Sequence, residues 1–521
     1  MSRDLQEVLQ DWEAVIGLEI HTEITSANTK MFCGCPVAFG GEPNTRTCPT
    51  CAGLPGALPV PNEKAIEWTV LSGLAIGCDI ARWSQFSRKN YFYPDMPANY
   101  QISQFDTPFC FDGEVNIEVS EKFVWQRYDR EEAQNIQLDE KEGGYLARIG
   151  VTRIHLEEDT GKMIHIGSSD GRVTGATASL VDFNRAGTPL MELVTEPDIR
   201  TPEEARRFVA KIRTIFLSLG VSDCNMDEGS MRVDGNISVR RRGTEAFGTK
   251  TELKNMNSLR ALHDGLACEI LRQVELIESG GKVTQETRHY DPLTKRTSSL
   301  RSKEDAQDYR YFPEPDIAPV VLSDEQIEAI AQQLPELPDQ RKARLMSEVG
   351  LPAHDAGVIT GDVDLAAFVD EGLAAIGKDR LEALARPFVN LILGDLSAYL
   401  NAEGITAAQS KISSTDCLDL VILVQEGSIS GKQAKEVFEL MLDTGDSPAA
   451  IVEKRGMKQL SDAGELETII AAIVEANPDQ VSAYRGGKTG LMGFFVGQAM
   501  KETKGQANPK VVNEILGRLL A

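Results

Sequence analysis

The chain has 521 residues, 41% of them hydrophobic, and carries 79 Asp and Glu against 54 Lys and Arg, for a net charge of −25. That charge excludes an indiscriminate polyanion coat, so no DNA partner is expected, and no apolar run approaches the roughly 18 residues that a membrane span requires. Nine cysteines behind a mixed, acidic start (MSRDLQEVLQDWEAV), which does not read as an export leader, imply reduced thiols and a cytoplasmic protein.

The first strong pattern is VIGLEIHTEI from Val15. Side chains of a strand alternate between faces, so Glu19, His21 and Glu23 share one face while Leu18, Ile20 and Ile24 take the other. Acids and an imidazole on a sheet face are costly unless solvated or partnered by something positive, and a hard cation carrying phosphates is one such partner. Next come Cys33-x-Cys35 and Cys48-x-x-Cys51, two thiol pairs joined by a short loop rich in Pro and Gly. Four thiolates so spaced fit a closed, tetrahedral, structural zinc site, with free thiols as the alternative.

A helical pattern, NEKAIEWTVLSGLAIG, follows Pro61. Further acids then fall at strand-like positions: Glu157, Glu158 and Asp159 end GVTRIHLEEDTG, and Glu192 lies in PLMELVT. The segment TPEEARRFVAKIRTIFLSLG predicts a helix with Thr201 as N-cap, Pro202 at the first helical position and Glu204 completing a capping box. In MRVDGNISVR, Met231, Val233, Ile237 and Val239 form an apolar face opposite Arg232, Asp234, Asn236 and Arg240. Glu252 lies in GTKTELKNMNS beside Lys250 and Lys254.

Each acid alone reads as a solvated surface group, but acids set between apolar residues on several strands fit a shared ion-filled face equally well. Carboxylates with one imidazole suit magnesium or manganese bridging nucleotide phosphates, with Arg232 and Lys250 neutralising the transferred phosphoryl group.

From Asp324 the pattern is helical, with N-cap signals at Asp362, Ser413 and Ser447. Residues 323–450 hold 22 acidic against 9 basic residues, whereas residues 485–521 hold 6 basic against 2 acidic. The basic end contains GGKT at Gly486, a turn that fits contact with an RNA backbone, and a second turn, TKGQANP at Thr503, the two bracketing the apolar helix LMGFFVGQAM. A P-loop is not expected there, because Ser482 occupies the position of its first glycine and a helical pattern, not a strand, precedes it. No hydrolase nucleophile motif is present. The reading is an α+β protein: a large, mostly antiparallel sheet with helices on one side in residues 1–322, an all-helical domain in 323–450 and a small helical tail in 451–521.

Several long strings together resemble one family. They are VIGLEIH at Val15, RKNYFYPDMPANYQISQFD at Arg88, HLEEDTGK at His155, VDFNRAGTPLMELVTEPD at Val181, DEGSMRVDGNIS at Asp227, GTKTELKNMNS at Gly248, DYRYFPEPDI at Asp308 and YRGGKTGLMGFFVGQ at Tyr484. All are similar to the B subunits of bacterial aspartyl/glutamyl-tRNA amidotransferases. The resemblance implies a glutamine synthetase-like catalytic fold and a heterotrimer with an amidase A subunit and a small C subunit. It also implies ATP- and Mg2+-dependent phosphorylation of the side-chain carboxylate of Glu or Asp mischarged on tRNA, followed by amidation with ammonia from the partner.

Carried over by motif, the implied catalytic and Mg2+-binding residues are Glu19, His21, Glu158, Glu192 and Glu252, with Arg232, Asp234 and Lys250 on the nucleotide. The basic tail resembles a module that supports the tRNA elbow. A tRNA-holding scaffold and a free-standing ligase are the competing readings of the same residues.

Overall fold

The computed structural model describes residues 4–120, 144–167, 175–302, 308–457, 463–503, 507 and 509–520. Its contacts divide the chain into two compact units, Met1–Ala343 and Arg344–Ala521. Lys504, Gly505, Gln506 and Asn508 of the expected TKGQANP turn lie outside the described residues.

The strands of the first unit are β1 (Trp12–Glu23), β2 (Asp79–Ile80), β3 (Trp83–Ser84), β4 (Ser87–Asn90), β5 (Tyr100–Ser103), β6 (Cys110–Ser120), β7 (Gly144–Glu158) and β8 (Lys162–Ile166). They continue with β9 (Ala178–Asp182), β10 (Pro189–Thr195), β11 (Met231–Arg241), β12 (Thr251–Lys254), β13 (Glu286–Asp291), β14 (Arg296–Ser302), β15 (Phe312–Pro313) and β16 (Val320–Val321). Nine of them form one sheet in the order β14-β13-β12-β11-β1-β10-β7-β6-β2. Every pairing in it is antiparallel except β12 with β13.

Alternation decides which face is covered. Trp12, Ala14, Ile16, Leu18 and Ile20 of β1 are buried together with Phe208, Ile212 and Phe216 of α3 (Pro202–Leu219) and Leu262, Leu266 and Ile270 of α4 (Leu259–Glu278). The helices sit on this apolar face because only there can both surfaces leave water. Strand β4 belongs to a separate small sheet ordered β15-β4-β5.

Helix α3 starts as expected, with Thr201 accepting from the Glu204 N–H at 3.0 Å and Pro202 next to it. The capping box is only half formed. The fully buried Glu204 carboxylate turns to the Arg200 N–H at 2.7 Å and the Tyr145 hydroxyl, both of which would otherwise compete for partners inside the core.

In the first unit, Ile330 of helix Asp324–Ala331 packs into the sheet's core. The second unit is all helical in its described residues. It holds two apolar clusters, one around Phe388, Ile392, Leu396 and Val437 and one around Leu466, Ile470, Phe495 and Leu516. Asp362, Ser413 and Ser447 cap their helices as expected. In the turn after helix Pro478–Arg485 the N–H groups of Gly486, Gly487, Lys488 and Thr489 already donate to the carbonyls of Ser482, Tyr484, Ala483 and Gly487, so they do not point outward as a P-loop's phosphate donors do. Among the described residues no helix is long and apolar enough to cross a membrane.

Candidate active site and metal centres

The face of the sheet turned away from the helices carries charge in rows. Directly opposed residues of antiparallel strands share a face, and the register aligns Arg232, His21, Glu192 and His155 across β11, β1, β10 and β7. One step along, Asp234 opposes Glu19, and beyond that Asn236 opposes Glu252.

At the centre, His21 Nε2 lies 3.2 Å and His155 Nε2 3.4 Å from the same Glu192 Oε2. His155 Nε2 is also 3.6 Å from Glu157 Oε2, which accepts from the Ser103 hydroxyl at 2.9 Å. Burial works against charge on Glu192, yet the two imidazoles outweigh it and hold its carboxyl well below the usual range. The same balance between burial and partners lowers Glu157, with Lys89 and His155 prevailing. Burial disfavours protonated His155, but Glu192 and Glu157 raise it to about 9. Lys89 of β4 is likewise held charged against burial by Glu157 and Glu192, with its ammonium 5.0 Å from the centre of the Tyr309 ring.

His21, Glu157 and Glu192 each offer a ligand atom, all within 4.8 Å of one another. Two carboxylate oxygens and one imidazole form a mostly hard donor set, suited to Mg2+ or Mn2+ with water and phosphate completing the shell. Around it stand cations whose own partners hold them in place. Arg232 donates to Asp159 at 2.6 Å, and Lys254 bridges Asp234 at 2.5 Å and Glu252 at 2.8 Å. Glu19 accepts from the Asn236 amide at 2.8 Å, and burial followed by Glu192 and Asp234 raises its carboxyl. Beyond Glu23 the face opens into a 380 Å³ cavity lined by Arg46, Lys162, Asn184 and Arg185 among others.

The cysteines form a second centre. The sulfurs of Cys33, Cys35, Cys48 and Cys51 all lie within 4.8 Å of one another, with Cys35 Sγ and Cys51 Sγ 4.0 Å apart. A tetrahedron with metal–sulfur bonds of about 2.3 Å has sulfurs roughly 3.8 Å apart, so the quartet fits a metal ion. The Cys48 N–H donates to Cys51 Sγ at 3.1 Å, satisfying the sulfur as a thiolate ligand requires.

Comparison with known proteins shows the family. Residues 14–328 match the GatB/GatE catalytic domain and residues 375–520 match the GatB domain. The chain is 46% identical, over 98% of its length, to the whole B subunit of the aspartyl/glutamyl-tRNA(Asn/Gln) amidotransferase of Carboxydothermus hydrogenoformans. It is 47% identical to the same protein of Rhizorhabdus wittichii, with 99% of each chain covered. The Brevibacillus brevis protein is 46% identical, over 98% of this chain and 99% of its own. The chain belongs to this family of amidotransferase B subunits.

Within this GatB-family chain, the sheet brings Glu19, His21, Glu192, Arg232, Asp234 and Glu252 to one face. Two expected residues lie elsewhere. Glu158 has the opposite parity from His155 and Glu157, so it turns under the sheet and accepts from the Ile102 N–H at 3.1 Å, where burial pushes it up to about 8. Lys250 precedes β12 and is exposed, and Lys254 reaches the acids instead.

Sequence reasoning counted Glu157 and Asp159 among the strand acids but did not carry them into the final site, and it gave His155, Lys254 and Lys89 no role there. Counting alternation from His155 would have preferred Glu157, but Lys250 and Lys254 share the parity of Glu252, so alternation alone does not separate them; only Lys254 falls within β12. No local signal pointed to Lys89, which arrives from a different sheet.

Proposed function

We propose that this chain is the carboxylate-activating subunit of a tRNA-dependent amidotransferase. It binds Glu or Asp mischarged on tRNA, accepts a phosphoryl group from ATP onto the side-chain carboxylate, and exchanges the phosphate for ammonia. The ammonia comes from a glutaminase partner, the A subunit, in a heterotrimer braced by a small C subunit. The observation that carries this reading is the row Arg232–His21–Glu192–His155, in which a carboxylate, two imidazoles and a guanidinium share the sheet face opposite the helices.

His21, Glu157 and Glu192 would hold Mg2+, with Glu19 and Glu252 completing the acidic wall. Bound there, the cation screens two anions that repel each other, the substrate carboxylate and the terminal phosphate. Arg232 and Lys254 are fixed by Asp159 and Asp234, so their charges are aligned before phosphate arrives and no reorganisation is needed during transfer. Lys89 adds a third cation, held charged by Glu157 and Glu192.

Cys33, Cys35, Cys48 and Cys51 are read as ligands of a structural Zn2+, since four protein sulfurs leave no open position for substrate. Residues 1–322 form the catalytic domain in this reading, 323–450 a helical connector and 451–521 the tRNA-contacting tail, with exposed Lys488 and Lys501 available to phosphate.

The test is reconstitution with the amidase and small subunits, supplying ATP, Mg2+, glutamine and each mischarged tRNA in turn. Amide formation on at least one tRNA is expected, accompanied by phosphate release. Full activity in a Glu192→Gln complex would leave this chain with a holding role only.

A further inference from the structure

Lys30 is fully buried, and its Nζ lies 3.5 Å from Cys51 Sγ and 2.9 Å from the Phe183 carbonyl. Both neighbours are informative. A carbonyl satisfies one ammonium hydrogen but does not balance its charge, and a buried cation without an anion is costly. Glu158 also interacts with this lysine, but burial favours its neutral form. Four thiolates around a divalent metal carry a net charge of −2, so the quartet in its metal-bound form is the strong anionic partner on offer to the ammonium.

The surrounding backbone is built around the same point. The Lys30 N–H donates to the Cys35 carbonyl at 2.9 Å, and the Met31 N–H donates to the Gly187 carbonyl at 2.7 Å. Gly187 has φ +85°, and a Cβ there would stand 3.4 Å from Lys30 Cδ, 3.6 Å from Cys51 Cβ and 3.7 Å from Glu158 Oε2. The cysteine insert, the end of β7 and the loop from Phe183 to Thr188 therefore converge on one residue without a side chain. That loop carries Arg185, whose Nε is 3.6 Å from Asp159, the acid that holds Arg232 on the catalytic face.

We infer that Lys30 is the positioning residue of the cysteine metal centre: its charged N–H···S bond to Cys51 tightens metal binding, and its bond to Phe183 transmits that hold to the Arg185 loop. This rests on reading the four cysteines as a metal site. A hydrogen bond to a ligating sulfur lowers its proton affinity and orients it, and loss of such an outer partner typically costs about 10–100-fold in metal affinity. Coupling follows because the same ammonium donates to both the sulfur and the carbonyl, so a metal-bound thiolate that holds the ammonium in place also holds the carbonyl partner.

The experiment uses the full-length chain loaded with Co2+ or Zn2+. In the wild type, Co2+ should give the intense sulfur-to-metal charge-transfer band of a tetrathiolate, and absence of that band would remove the metal site itself. In Lys30→Met the band should move to lower energy, and a chelator should strip Zn2+ roughly 10–100-fold faster. Lys30→Gln, which keeps an N–H but no charge, should fall between the two. An unshifted band with wild-type release would overturn the role of Lys30 while leaving the metal site standing.

Because a buried substitution can also impair folding, the coupling is read in the wild type. Stripping Zn2+ should speed hydrogen exchange at the Phe183–Thr188 amides more than in β11. Equal protection with and without metal would overturn the link to the loop.

Discussion

His21 Nε2 and Glu192 Oε2 meet at 3.2 Å as cross-strand partners on β1 and β10. The pair sits in the middle of the nine-stranded sheet, where a backbone already fixed by hydrogen bonds on both sides leaves the two side chains few alternatives. Replacing Glu192 by Gln removes the charge shared by both imidazoles and one metal-binding oxygen. The expected result is a loss of transamidation of roughly two to three orders of magnitude, with glutaminase activity of the assembled complex and tRNA binding retained. Product formation on a mischarged tRNA measures it.

Neighbouring acids should differ sharply. Glu157 faces His155 and Glu192, whereas Glu158 is turned beneath the sheet onto the Ile102 N–H. With its carboxyl raised to about 8 by burial, Glu158 is protonated at neutral pH, and Gln is close to it in shape and polarity. In Mn2+ titrations followed by electron paramagnetic resonance, Glu157→Gln should weaken binding strongly and Glu158→Gln only slightly. The reverse order would refute the face assignment.

The two lysines near Glu252 make a parallel pair. Lys254 donates to Asp234 and Glu252, while Lys250 is exposed. A charged hydrogen bond of about 1.5–3 kcal/mol corresponds to roughly ten- to a hundredfold in rate if it is used in the transition state. Lys254→Met should show a loss of that size in steady-state transamidation, and Lys250→Met a small change.

Acid stability should be governed in part by a group far from the reaction. Glu269 of α4 is fully buried and accepts from Arg272 at 2.6 and 2.9 Å, Thr251 at 2.9 Å and Thr297 at 2.8 Å, joining the helix to the sheet edge. Burial favours its neutral form, but Arg272 and the other donors prevail and lower its pKa below the ordinary 4.5. The unfolded chain then binds more protons in the acid range, so this stabilisation is complete above about pH 4.5 and disappears as pH falls through the folded value. Removing one partner of a buried ion pair typically costs about 3–5 kcal/mol. Glu269→Ala should therefore lower stability at pH 7 by that order in urea unfolding, and the gap to wild type should narrow toward pH 3.

Metal removal separates the two centres. Stripping Zn2+ from the cysteines should loosen the insert around Cys33 to Cys51 and leave the sheet core of Ile16, Leu18 and Phe208 folded, because none of the four cysteines belongs to that buried cluster. Differential hydrogen exchange should then localise the change to the insert and its bonded neighbours. Global unfolding on chelation would contradict a local role.

Much of this was legible without coordinates, wherever the governing physics is local. Alternation on β1 and β11 put Glu19, His21, Arg232 and Asp234 on polar faces, cysteine spacing named the quartet, and Thr201, Asp362, Ser413 and Ser447 announced their helices. The Glu204 capping box half failed because a tertiary partner, Tyr145, was not visible from its neighbours in sequence.

By itself, the sequence determined family, α+β class and the polarity of β1 and β11, since strand period, caps and ligand spacing depend only on nearby residues. Only the tertiary structure decided which faces meet. Placing β1 between β10 and β11 is what turns separate acids into one row, and the register of β7 on β10 is what selects Glu157 over Glu158. Register is set by packing between strands distant in the chain, and a shift of one residue would exchange every face. Lys89 and Lys30 belong to the same category, because their partners come from other strands and loops and no periodicity foretells them.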